Sequence, residues 1–149
     1  MRPLNLPPCD VHLQRVGETR MIFDPLRKKY VKLTPEEWVR QHFIQFLIRE
    51  RGVPRALIAV EMAFTYQRMR RRADVVVHDR QGRPLVLVEC KAPEVEITQA
   101  AFDQVARYNK VVQAPYLVVT NGLVHYCCAL DHEAHTYRFL DDLPPYDAL

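Results

Sequence analysis

Seven residues constrain this chain more than any others: Leu85, Val86, Leu87, Val88, Glu89, Cys90 and Lys91. An unbroken apolar run, bounded by Gly82-Arg83-Pro84 before it and Ala92-Pro93 after it, reads as a strand buried on both faces. Nothing in strand architecture asks such a run to end in a carboxylate and an ammonium. Side chains at i and i+2 share a face, so Glu89 and Lys91 point one way and Cys90 the other. Opposite charges at the end of a buried strand are costly unless they pair or bind something, which marks them as a candidate site.

The rest of the composition sets limits around that strand. A length of 149 residues suits one domain, 1–149, with one core, and 48% apolar with 26% charged residues excludes a disordered chain. The net charge of +3 does not by itself announce nucleic acid. No apolar run approaches the roughly 18 residues a membrane span needs, and Met1 to Leu6 lack the core of a signal peptide. The four cysteines therefore read as reduced thiols of a cytoplasmic protein.

Residues 1–33 read as an irregular N-terminal extension. Pro3, Pro7 and Pro8 resist regular structure, and only strand fragments near His12–Val16 and Met21–Phe23, then a basic edge at Arg27–Val31, stand out. Thr34-Pro35-Glu36-Glu37 carries a capping residue, a first-position proline and a glutamate three residues after the cap, so a helix starts here. It runs to about Arg51 and stops at Gly52, with Val39, Phe43, Phe46 and Leu47 as its core stripe. Strands are predicted at 57–64, 73–78, 85–91, 116–120, 123–129 and 136–140. A second helix spans Thr98 to about Val112, with Ala101, Val105, Tyr108 and Val112 facing inward. That helix is long enough for a parallel crossover, giving an α/β fold with a central mixed β-sheet flanked by helices.

Asp74 opens one strand of this scheme, while Glu89 and Lys91 close its antiparallel neighbour. The hairpin thus gathers two acids and a lysine at one end of the sheet. Neighbouring carboxylates repel unless a cation lies between them, and oxygen ligands of this kind favour Mg²⁺ or Mn²⁺. Such an ion lowers the pKa of a water and offsets charge on a phosphodiester.

Asp74 followed by Glu89-Cys90-Lys91 resembles the PD-(D/E)XK nuclease signature, and Gln104-Val105-Ala106-Arg107-Tyr108 resembles the QxxxY helix of its RecB-like and type I restriction branches. With Ile22–Pro25, Leu33–Gln41, Arg72–Asp74, Tyr108-Asn109 and Thr120–Gly122, the chain is similar to the type I restriction enzyme R-subunit N-terminal domain family in a small stand-alone form, without room for a helicase motor. Ala73 stands where the name-giving proline would be. The resemblance implies a restriction-endonuclease-like core with Asp74, Glu89 and the Cys90 backbone carbonyl as metal ligands. It implies Lys91 as catalytic lysine, Gln104 and Tyr108 bracing the site or touching DNA, and an assisting carboxylate from the first helix, Glu37, with Glu61 behind it. DNA is the implied substrate, with a restriction or repair motor as partner and homodimerisation left open.

Blander readings stand beside these. Asp74, Glu89 and Lys91 form a structural ion cluster in one of them, and the fold serves as an inactive nucleic-acid-binding or partner-docking module in another. The capping box accounts for Glu37 unaided. Arg68, Arg70, Arg71 and Arg72 either grip phosphates or form a solvated loop. His125, Cys127, Cys128, His132 and His135 fit no standard zinc spacing, since alternation sends Cys127 and Cys128 to opposite faces. Cys90 has no activating histidine and is a poor nucleophile.

Overall fold

A computed structural model describes residues 1–149. Six strands form the central sheet: β4 (Ile58–Tyr66), β5 (Met69–His78), β6 (Pro84–Cys90), β7 (Tyr116–Thr120), β8 (His125–Asp131) and β9 (Thr136–Leu140), in that spatial order. All neighbours are antiparallel except β6 and β7, whose parallel pairing is made by the crossover helix α2 (Gln99–Val112). The mixed α/β architecture expected from the element order is therefore present. Helix α1 (Pro35–Arg51) precedes the sheet.

Two apolar clusters divide the molecule. One joins Val39, Phe43, Ile44 and Leu47 of α1 to Val75, Val77, Val86, Val88 and Cys90. The other joins Phe102, Val105 and Val112 of α2 to Val76, Leu87, Leu117 and Val119. The alternation along β5 and β6 places their residues in the two clusters by turns, as expected for a strand buried on both faces.

The capping signals work as the sequence indicates. Thr34 Oγ1 accepts from the Glu37 N–H at 3.1 Å, and Gly52 ends α1 in the left-handed conformation. Burial of α1, however, extends beyond a stripe: it covers every residue from Glu37 to Leu47 except Trp38 and Phe46. Both ends of the chain cause this, because Leu4, Leu6, Leu143, Tyr146 and Leu149 pack against the same cluster. Gly122 in the β7–β8 turn permits that closure, since a Cβ there would lie 2.8 Å from Leu4.

Three expectations need correction. Residues 1–33 are not wholly irregular: β1 (Leu13–Val16), β2 (Thr19–Asp24) and β3 (Lys29–Lys32) form a separate antiparallel sheet. Arg70, Arg71 and Arg72 lie within β5, with only Gln67-Arg68 making the turn, so Asp74 sits in mid-strand instead of opening it. The buried face of α2 is Phe102, Val105, Asn109 and Val112, displacing Ala101 and Tyr108. Asn109 tolerates full burial because its amide exchanges hydrogen bonds with the Ala114 backbone at 2.9 and 3.0 Å.

Candidate active site

The site forms where β5 and β6 part. Their ladder closes with the pair Val75↔Val88, and at the next step the Cys90 N–H donates to Asp74 Oδ2 at 2.8 Å. A side-chain carboxylate thus replaces the ladder carbonyl. On the other side of β5 the ladder is interrupted at the same level, between Val60↔Val75 and Met62↔Ala73. Glu61 occupies the gap with φ +57°, a conformation that costs a non-glycine residue about 1 kcal/mol or more. The kink changes the alternation: Ala73 joins Val76 in the α2-side cluster, where a regular strand would place it with Val75 and Val77.

Asp74, Glu89 and Lys91 meet as the hairpin requires, all three lining one open cleft of about 580 Å³ with Glu37, Arg40, Glu61 and Cys90. Lys91 Nζ stands 3.9 Å from Glu89 Oε1. Burial and the neighbouring Asp74 charge push the Glu89 carboxyl up to about 8, against the opposing pull of Lys91. Burial likewise raises Asp74, even though the Cys90 N–H and Arg40 favour its charged form. These two acids resist ionising together. Cys90 projects into the α1-side core, where burial lifts its thiol far above the ordinary range and removes it as a nucleophile.

Glu37 lines the same cleft in a different condition. Arg40 donates to it at 2.6 and 3.0 Å, Arg27 at 2.8 Å and Gln41 at 3.0 Å. Burial acts to raise its pKa, but these bonds and the Arg40 charge outweigh burial and lower it. The reciprocal half of the capping box is absent because the carboxylate turns into the cleft. These four hydrogen bonds fall on both oxygens of Glu37, the carboxylate expected to assist the site. Glu61 is engaged as well, by Arg40 at 3.2 Å, Arg72 at 3.4 Å and Arg27 at 3.4 Å.

A second cleft of about 490 Å³ adjoins the first and shares Glu89 and Lys91 with it. Arg70, Arg71, Arg72, Gln104 and Tyr108 line it. One helical turn brings Gln104 Nε2 to donate to Tyr108 Oη at 2.7 Å, and the Arg71 guanidinium lies over the Tyr108 ring at 5.6 Å. Tyr108 therefore reaches β5 through Arg71 and packs on Phe64 and Tyr66 of β4, while Gln104 Oε1 accepts from Arg107 of its own helix.

Two carboxylates beside Cys90 suit Mg²⁺, which binds through one or two carboxylates and keeps several waters. No three His, Cys, Asp or Glu side chains anywhere in the chain are grouped to hold a metal by themselves. The His/Cys segment is dispersed. Cys127 and Cys128 fall in opposite clusters, His125 bonds Thr120 and the Asn5 carbonyl, and His132 bonds the Ala114 carbonyl.

The profile of the type I restriction enzyme R protein N-terminus matches residues 35–144. The chain belongs to that family. No curated protein matches the sequence. In this R-protein N-terminal family member the matched span holds α1, the whole central sheet and α2, hence every residue lining the two clefts except Thr34. Asp24 and Arg27 lie outside it, yet they supply an ion pair that anchors Arg27 over Glu37.

Arg27, Arg40 and Gln41, the side chains that hold Glu37, are the residues that sequence reading missed. A signal existed for two of them, because Arg40 and Gln41 follow Glu37 at i+3 and i+4 on one helix face. Arg27 reaches the cleft through a turn and the second sheet, and no local spacing announces it.

Proposed function

We propose that this chain is a Mg²⁺- or Mn²⁺-dependent DNA endonuclease domain of PD-(D/E)XK type. The observation that carries the reading is the pairing of Asp74 and Glu89 beside Lys91 at a break in two ladders, in a cleft continuous with an arginine-lined groove. Family membership supports it, since a restriction-enzyme R protein works on DNA within a multi-subunit assembly. No helix of the chain is long and apolar enough to cross a membrane.

Asp74 and Glu89, with the Cys90 carbonyl, would hold the ion. When bound, it supplies positive charge against the phosphodiester and lowers the pKa of a water. The Cys90 N–H holds the Asp74 carboxylate in place, and a cation there would offset the burial and the Asp74 charge that raise Glu89. Lys91 directs its ammonium at the scissile phosphate, donating to its non-bridging oxygens as charge builds there. Arg70, Arg71 and Arg72 receive the flanking phosphates, and Gln104 with Tyr108 keeps that strand at a fixed distance from Lys91.

Plasmid, linear and branched DNA incubated with Mg²⁺ or Mn²⁺ test the proposal. Cleavage should fall at least about 100-fold in Lys91→Ala, as loss of a positioned catalytic group requires. Undiminished cleavage by that variant overturns the assignment. One observation favours a second reading, a DNA- or partner-binding module without catalysis. Arg40 Nη1 lies 3.9 Å from Asp74 Oδ1 and competes with any metal for that oxygen. That reading requires salt-sensitive DNA binding with no calorimetric signal for Mn²⁺.

A further inference from the structure

We propose that Arg40 acts as a resident cation in the position a second metal would take, so that the cleft accepts a single divalent ion, at Asp74 and Glu89. The inference rests on the metal-dependent reading above. Enzymes with two metals hold them about 3.5–4 Å apart around a shared oxygen ligand. Here the carboxylate available for sharing is Asp74, and a second position would lie toward Glu37 and Glu61, which line the same cleft. The Arg40 guanidinium already fills that position. Its Nη2 stands 2.6 Å from Glu37 Oε1 and 3.2 Å from Glu61 Oε1, while Nη1 stands 3.9 Å from Asp74 Oδ1.

Charge points the same way. The ion pairs of the cleft join five carboxylates (Asp24, Glu37, Glu61, Asp74 and Glu89) to four cationic side chains (Arg27, Arg40, Arg72 and Lys91). Glu36 also lines the cleft, so one divalent ion cancels the remaining negative charge of two, and a second would enter a site already neutral. Packing reinforces the exclusion. Arg40 is buried, and swinging its guanidinium aside would cost the buried Glu37 carboxylate two of its four hydrogen bonds. Arg40 is a positioning residue on this account: it fixes the count of ions and steadies Asp74 without touching the reacting phosphate.

Calorimetric titration of Mn²⁺ into the full chain without DNA reads this directly. One ion per chain is the expected result for the wild type, and two would overturn the inference while leaving the nuclease reading intact. No bound ion would overturn both. The double variant E37Q/R40Q removes the buried pair as a unit and should admit a second ion through Asp74 and Glu61. If it folds by circular dichroism and still binds one, Arg40 is not the excluding group. Paramagnetic resonance of the wild type with excess Mn²⁺ gives a measurement that needs no variant. An isolated-ion spectrum is expected, and the signature of a spin-coupled ion pair overturns the proposal.

Discussion

Glu37, buried, and Glu89, half-buried, are carboxylates of one cleft, and they behave in opposite ways. Glu37 is held below the usual carboxylate range and Glu89 is driven up to about 8. Burial opposes ionisation in both, so the difference lies in their neighbours. Glu37 faces two guanidiniums and an amide within 3.0 Å, whereas Glu89 faces another acid and an ammonium 3.9 Å away. The arginine side of the cleft is electrostatically finished, and the hairpin side is left short of positive charge. Where a fold completes one acid and leaves its neighbour wanting, the wanting acid is the one to examine for function.

The largest test of this contrast removes the finished acid. Glu37→Ala takes the nearest partner from buried Arg40, leaving it Glu61 at 3.2 Å and Asp74 at 3.9 Å, and should destabilise the chain by up to about 3–5 kcal/mol in urea titrations. A loss below about 1 kcal/mol would mean the arginine network contributes little. The reverse sign is expected at the other acid. Glu89→Gln relieves repulsion from Asp74 and should stabilise the metal-free chain at pH 8 by about 1–3 kcal/mol. A destabilised variant would break the contrast outright.

The pH profile sharpens the same point without mutation. The folded chain holds the Glu89 proton more tightly than the unfolded chain does, so it binds more protons between the ordinary value of 4.5 and about 8. Glu89 therefore lowers stability as pH rises through that window, and saturating Mn²⁺ should flatten the decline in melting temperature. Glu37 has the opposite sign. Its contribution is complete above the ordinary carboxylate value and is lost as pH falls through its lowered one. The smallest effect is expected outside the acid cleft. Arg71→Ala forfeits one cation–π contact and one phosphate contact, weakening DNA binding by about 0.5–1 kcal/mol with a shallower salt dependence.

The amino-acid sequence alone determined what depends on near neighbours along the chain. The apolar run ending in Glu89 and Lys91, the Thr34 cap, the crossover between β6 and β7, and the one-turn spacing of Gln104 and Tyr108 follow from strand and helix periods. Those periods act over a few residues and need no knowledge of the rest. The strand fragments near His12–Val16 and Met21–Phe23 were legible, but their pairing with Lys29–Lys32 into a sheet was not, because β1 and β3 are almost wholly exposed and leave no apolar alternation to read. Asn109 escaped notice because its burial depends on a backbone group beyond the end of its own helix.

Only the tertiary structure decided which acids of the cleft are paired. Arg27 arrives from a turn outside the matched span to meet Glu37 and Glu61, and Glu61 breaks the strand that sets Asp74 in the gap. Charges interact through space, and the folded chain alone sets which of them come within a few ångströms of one another.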